Sequence, residues 1–384
     1  MDIYFDNSAT TKPLEEVVEV MKDAMINYYG NPSSLHSLGL KCHNKLMEAK
    51  RDIARKIGAV KEEIFFTSGG SESNNMILKN FEKEGNHIIT TKFEHASVLN
   101  TLKYLETKGV EVTYLNVDKF GFINLDELKN SIKKNTVLIS IMQVNNEIGS
   151  IQNLEKIGNT IKNTSNRARF HVDGVQGYGK IKVDVKKCNI DFYTASAHKI
   201  HGPKGTGFCY IRKSLNLNPL IEGGGQEFGV RSGTENLPGI LSFVKASDVA
   251  FECMDKNYEK ILELKKYFIK KLEEINDVKI NSPIDKNIIP YILNVSFLGV
   301  RAEVLLHMLE EKGIFVSTGS ACSSKSVQAK GSHVLNAIGL TKEYIQGAIR
   351  FSFSRYNTKE EIDYTIDVLK ESLKFLRRIK IWIN

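Results

Sequence analysis

From about residue 14 to residue 250, short runs of consecutive apolar residues alternate with stretches whose apolar positions recur every three or four residues. The short runs, at 64–67, 87–91, 111–116, 136–142, 169–173, 191–197 and 205–211, read as strands. The periodic stretches at 71–81, 97–107 and 154–163 read as helices between them. Strands alternating with helices predict a layered α/β domain with a mostly parallel sheet, whose ligands gather at the carboxyl ends of the strands. A long amphipathic stretch at 258–275 then opens a second region. Strands are expected there at 291–297, 314–317 and 348–353, with helices at 301–312 and 359–378, which together suggest a smaller α+β domain. No repeat and no Gly/Ser or Pro linker separates the two regions, so they should pack together.

Composition narrows the picture. The chain has 384 residues, 41% of them hydrophobic, enough for one large and one smaller core. No apolar run approaches the roughly 18 residues of a membrane span, and the start, Met1 to Asp6, lacks a basic region followed by an apolar stretch. The five cysteines form no CxxC pair and are too scattered for a disulfide framework. A cytoplasmic protein is expected. The net charge of +8 is spread through interspersed Lys and Glu rather than gathered in basic blocks with aromatics between them, so direct nucleic-acid binding is not expected.

Candidate chemistry falls where the fold class places ligands. Asp173 ends the expected strand 169–173, and Gln176 follows three residues later. Ser196-Ala197-His198-Lys199 closes the strand at 191–197. Together they supply the polar contacts of a pyridoxal phosphate ring: a lysine to form an imine, a carboxylate to keep the pyridine nitrogen protonated, and an amide for the ring hydroxyl. Upstream, Thr67-Ser68-Gly69-Gly70-Ser71 joins a strand to a helix through two glycines and three hydroxyls, a phosphate cradle when combined with such a lysine and a well-capped turn otherwise. Ser196 and His198 would add donors to the same phosphate.

Other residues stay open on local pattern alone. His95, just after a strand, can stack on a ring and exchange protons, or be structural. Asn146 lies in a polar strand end, Asn145-Asn146-Glu147, that is either a turn or a contact to the ring. Arg350, on an otherwise apolar strand, must meet an acid: an internal carboxylate or a substrate's. Asn31, in Gly30-Asn31-Pro32-Ser33-Ser34, carries no decisive local signal. The glycine-rich stretches 223–227 and 230–236 suggest a loop kept for a subunit interface. Cys322 stands among small residues beside Lys325 and is expected to be exposed and reactive, whereas Cys42, Cys188, Cys209 and Cys253 read as ordinary buried or half-buried thiols. No metal site is expected.

Taken together, Asp6-Asn7-Ser8-Ala9-Thr10, Gly30-Asn31-Pro32-Ser33-Ser34, His198-Lys199-Ile200-His201-Gly202-Pro203-Lys204-Gly205, Gly319-Ser320-Ala321-Cys322 and Arg350-Phe351-Ser352-Phe353-Ser354-Arg355 resemble the cysteine desulfurases of the NifS/IscS group. These lie in the class V aminotransferase branch of fold-type-I pyridoxal phosphate enzymes, and the likeness spans nearly the whole chain. It implies a large cofactor-binding domain over 13–255, and a small domain of 1–12 and 256–384 that carries the catalytic cysteine loop. It implies a homodimer in which Lys199 holds pyridoxal 5'-phosphate, Asp173 pairs with the pyridine nitrogen, Gln176 and Asn146 contact the ring side, and His95 stacks on the ring. Gly70, Ser71, Ser196 and His198 would hold the phosphate, with Thr234 from the other subunit. Asn31 and Arg350 would grip the carboxylate of L-cysteine. Cys322 would accept its sulfur, leaving L-alanine, and pass the persulfide to an acceptor protein, an iron–sulfur scaffold or a tRNA-thiolating enzyme.

Two competing readings use the same residues. A related aminotransferase or selenocysteine lyase would share the cofactor site and need Cys322 for one substrate or none. A sulfur-relay component would use the basic surface and the Cys322 loop chiefly to bind a partner.

Overall fold

The computed structural model describes residues 2–318 and 331–380. Its central sheet is built from β2 (Ile64–Thr67), β3 (His87–Thr91), β4 (Glu111–Leu115), β5 (Thr136–Ser140), β6 (Arg169–Asp173), β7 (Phe192–Ser196) and β8 (Gly207–Ile211), after a short β1 (Ile3–Tyr4) that belongs elsewhere. The strand order is β2-β8-β7-β6-β5-β3-β4. Neighbours run parallel from β4 to β7, and only β8 is reversed against both β7 and β2. The strands β3, β5, β7 and β8 are buried on both faces, which is why their sequences are unbroken runs rather than alternating ones.

Helices cover both faces: α1 (Glu15–Asn27), α2 (Ser37–Lys56), α3 (Gly70–Lys79), α4 (Ala96–Glu106), α5 (Leu125–Ser131), α6 (Leu154–Thr164) and α7 (Leu237–Glu252). One apolar cluster joins α2, α6 and α7 to one side of the sheet; another joins α3 and α4 to the other. The sequence reading found α3, α4 and α6 to within a residue or two but did not single out α1, α2, α5 and α7. In α2 the buried positions Cys42, Leu46, Ala49 and Ile53 do keep a 4-3-4 spacing, but small side chains and intervening lysines blur it.

After α8 (Met254–Leu272) the second sheet runs β12-β10-β9, all antiparallel, from β9 (Val278–Ile280), β10 (Ile292–Phe297) and β12 (Ala348–Ser352). The helices α9 (Ala302–Glu311) and α12 (Lys359–Lys380) pack with α8 around a separate core that includes Phe268, Phe297 and Phe351. The expected strand 314–317 is a two-residue β11 (Ile314–Phe315) pairing in parallel with β1, followed by a single bridge from Ser317 to Arg350. The short helices α10 (His333–Ala337) and α11 (Lys342–Gln346) precede β12.

The first residues of the chain therefore strap the two cores together. From β1 the chain crosses β12, where Asn7 Nδ2 donates to the Ser352 carbonyl at 2.9 Å. It then meets the turn after β7, where Thr11 N donates to the His198 carbonyl at 2.9 Å and its Oγ1 accepts from His201 N at 2.6 Å.

Candidate functional site

The carboxyl ends of β2, β3, β5, β6 and β7 open on one edge of the sheet, and Gly70, His95, Asp173, Ser196, His198 and Lys199 lie at those ends. Asp173 closes β6 and is 5% exposed. Its Oδ1 accepts from Val175 N at 3.0 Å and its Oδ2 from Asn74 Nδ2 at 2.8 Å. The other proton of the Asn74 amide goes to Ser97 Oγ at 2.9 Å. Ser97 Oγ therefore donates to His95 Nδ1 at 2.8 Å, and Ser97 N donates to the same nitrogen at 3.2 Å. With two donors on Nδ1, the neutral imidazole carries its proton on Nε2. Desolvation pushes His95 below the usual histidine range; Asp173 opposes that shift, while Lys199 and His333 add to it.

Lys199 lies in the single 3-10 turn that follows β7. Its Nζ donates to the Ser8 carbonyl at 2.6 Å and the Ala9 carbonyl at 2.7 Å, both on the N-terminal strap. Gln176 is buried and donates to that same Ser8 carbonyl at 2.9 Å. His198 Nδ1 is 3.1 Å from Thr10 Oγ1. Burial, then the charges of Lys199, Lys204 and Lys180, lower its pKa to about 4, so it is a neutral donor near pH 7.

The turn into α3 has the form an oxyanion needs. Gly69 stands at the N-cap with φ 150° and gives the helix no side-chain cap, so the first-turn N–H groups remain to be satisfied by something else. A Cβ on Gly69 would face Ser196 Oγ at 3.6 Å, and one on Gly70 would strike Val175 Cγ2 at 2.6 Å. The backbone is thus pressed against the Asp173 turn with Ser196 beside it. Ser71 is exposed at the mouth. A phosphate on these N–H groups, a ring reaching Asp173 and a covalent link to Lys199 fit the residues present.

Arg350 on β12 meets an internal carboxylate, one of the two alternatives left open by the sequence. Its Nη2 pairs with Asp6 at 2.9 Å and its Nη1 donates to the Asn146 carbonyl at 2.9 Å, while Nε is buried with no partner among the described residues. Glu147, next to Asn146, is fully buried. It accepts from Ser332 Oγ at 2.6 Å, and burial raises its carboxyl to about 7. Glu94, beside His95, is also buried; desolvation lifts it to about 8, against hydrogen bonds from Thr91 Oγ1 and Met142 N.

Two of the expected residues stand apart. Asn31 is exposed, its Oδ1 accepting from Ser33 N at 2.9 Å. Thr234 is exposed in the 216–235 loop. That loop is fastened by the fully buried ion pair between Lys50 and Glu227 and by Arg231 on Glu72 at 3.0 Å. Cys322 and Lys325 lie outside the described residues. Cys42 and Cys209 are buried, and Cys188 and Cys253 are partly so. Asn74, Lys180 and the Ser8 carbonyl were missed. Asn74 lies one helical turn from Gly70 and Lys180 four residues after Gln176, so both spacings carried a usable signal; a backbone carbonyl carries none.

The aminotransferase class-V family model matches residues 3–365. A cysteine desulfurase IscS from Dictyoglomus turgidum is 45% identical over 383 residues, covering 98% of this chain and 96% of its own. Among solved structures, a NifS-like protein superposes with a TM-score of 0.91 at 40% identity, covering 98% of this chain and 100% of its own. A structure of SspA in complex with cysteine gives 0.80 at 36% identity, over 93% and 100%.

Proposed function

The chain belongs to the class-V aminotransferase family, among its cysteine desulfurases, and on that premise we propose that Lys199 binds pyridoxal phosphate and that Cys322 takes the sulfur of L-cysteine. The observation that carries this reading is the convergence, on one sheet edge, of Lys199, the Asp173 carboxylate and the uncapped N-terminus of α3. Bound there, the cofactor's protonated ring draws electrons from the α-carbon of an amino acid attached to it.

The chain's own residues do the rest. Asp173, held by Asn74 and the Val175 N–H, keeps a negative charge opposite the ring nitrogen. Gly70, Ser71, Ser196 and His198 hold the phosphate, with Thr234 from a second subunit. Arg350 offers its guanidinium to the substrate carboxylate, whereas Asn31, which the resemblance assigns to the same carboxylate, stands apart from it in the single chain. Asn146 and Gln176 face the ring edge. His95, neutral with its proton on Nε2, stacks on the ring and relays the proton of the substrate thiol. The Lys199 amine would serve as the base for the substrate's α-proton. Sulfur transfer forms an S–S bond to Cys322 and breaks the substrate's Cβ–S bond. The electron pair of that bond goes to carbon, which is then protonated, so L-alanine and a cysteine persulfide result without external oxidant or reductant.

A homodimer is supported by an apolar face with no cover in the single chain. Met25, Ile26, Tyr29, Leu35 and Phe228 are more than half exposed, and Glu227 and Phe228 hold left-handed backbone angles that cost energy unless something secures them. Among the described residues no helix is long and apolar enough to cross a membrane. A cytoplasmic enzyme feeding an iron–sulfur scaffold or a tRNA-thiolating enzyme is consistent with this.

The test is release of sulfide and L-alanine from L-cysteine under a thiol reductant, with the visible band of the bound cofactor followed in parallel. Equal release of both products, lost in Cys322→Ala while the band stays, is the expected result. Unchanged turnover in that variant would return the reading to a lyase or aminotransferase.

A further inference from the structure

Lys180 is a buried lysine that the reaction outlined above does not use. It ends the turn after β6 and is 7% exposed. Among the described residues its ammonium meets no carboxylate: its contacts are Gln176 Oε1 at 3.1 Å and the ring of Tyr291, 5.5 Å away. Burying an ammonium without an acid is costly, and desolvation followed by the charges of Lys199 and Arg350 brings this one down to about 7. Burial alone does not mark a function. Lys265 is 1% exposed, is likewise lowered to about 7, and merely reaches the Pro283 carbonyl at 3.4 Å inside the small core.

What separates Lys180 from Lys265 is connection to the reacting nitrogen. Lys180 Nζ donates to Gln176 Oε1; Gln176 Nε2 donates to the Ser8 carbonyl; and that carbonyl also accepts from Lys199 Nζ. Lys180 and Lys199 both line one cavity of about 40 Å³ with His201, Tyr291 and Arg355. Because Lys180 occupies Oε1, the Gln176 amide is fixed with its NH₂ toward the site, the orientation a donor to the cofactor requires. Because charge coupling is mutual, the pressure that Lys199 puts on Lys180 is returned in full. The other charged or titratable groups facing this pair are Arg355, Tyr291, His95 and Arg350, the last partly neutralised by Asp6, together with His198 and His201. His198 and His201 are both lowered to about 4 and so are uncharged at neutral pH. Asp173 is turned away to Asn74 and Val175.

We propose that Lys180 is a positioning residue for Lys199, fixing the Gln176 amide and placing a positive charge behind the Lys199 nitrogen. A lysine beside another cation loses its proton more readily, which is a recognised way of making an amine nucleophilic and basic at neutral pH. The inference rests on the reading that Lys199 holds the cofactor.

Two measurements keep the two ideas distinguishable. In the holoenzyme, the pH midpoint of the cofactor's visible band is compared among wild type, Lys180→Met and Lys180→Arg. In protein stripped of cofactor, the pH dependence of Lys199 acetylation by trace anhydride is read by peptide mass spectrometry. Lys180→Met should raise both midpoints by about one unit, whereas Lys180→Arg, a permanent cation, should leave them at or below the wild-type values. Should the Met variant not fold, Lys180→Gln, which keeps a donor for Gln176 but no charge, must show the same rise. Unchanged labelling midpoints in the neutral variants overturn the inference. Absence of a visible band in wild type overturns the reading of Lys199, while the labelling midpoints still decide the role of Lys180.

Discussion

Asn74 shows how much of a site depends on one amide. It alone bridges the carboxylate of Asp173 and the hydroxyl that sets the tautomer of His95. Asn74→Ala should leave Asp173 with the Val175 N–H alone and take from Ser97 Oγ the amide proton it accepts, costing about 1–3 kcal/mol of stability and lowering kcat/KM at least tenfold, read by thermal unfolding and steady-state kinetics with L-cysteine. Glu94 gives a sign-definite pH test. Its folded pKa of about 8 lies above the ordinary glutamate value of 4.5, so between those limits the folded state binds the extra proton and stability falls as pH rises. Glu94→Gln mimics the protonated acid, and the variant should lose less stability than wild type between pH 5 and pH 8, by roughly 2 °C or more in Tm. Asp173, Lys199 and Gln176 were legible because their side chains follow strand ends at short, fixed offsets. Asp6 as the partner of Arg350 was not, since 344 residues separate the two and no local pattern links them.

At the scale of elements, the join between β2 and α3 does the most with the fewest atoms. Gly70→Ala would drive a Cβ into Val175, at 2.6 Å, and so displace the turn that follows Asp173. Pyridoxal phosphate affinity, measured by titrating the visible band, should fall at least tenfold with the far-ultraviolet circular dichroism unchanged. The sequence pattern identified the seven strands of the central sheet because unbroken β-branched and aromatic runs are conspicuous. It overlooked α1, α2, α5 and α7. α7 buries Gly239, Ser242, Ala246 and Ser247 along with Phe243, and a helix packed through glycine, serine and alanine has little hydrophobic periodicity to read. β9 was missed for another reason: three residues at the edge of a sheet, none of them fully buried, have neither length nor contrast.

For the whole molecule, the apolar face around α1 and the loop after it predicts its own occupant. If a second copy covers it, replacing Met25 and Leu38, which are 63% and 43% exposed, by Glu should bring the mass in light scattering from twice the chain mass to the 43.3 kDa of one chain. Cofactor retention should weaken with it if Thr234 of a second subunit completes the phosphate site. The two-core plan could be read from the change in pattern near residue 255, but the strap could not: nothing in Asp2 to Thr11 announces that it pairs with residues 313–315 and Ser352 before reaching Lys199. That strap has a consequence for timing. The contact of Asn7 with Ser352 spans 345 positions of sequence, so the carbonyls of Ser8 and Ala9 settle against the Lys199 amine only when the most distant pairings of the fold have closed. Contacts of such separation form slowly beside local ones, so the large core can condense first while the cofactor site is the last part of the fold to be completed.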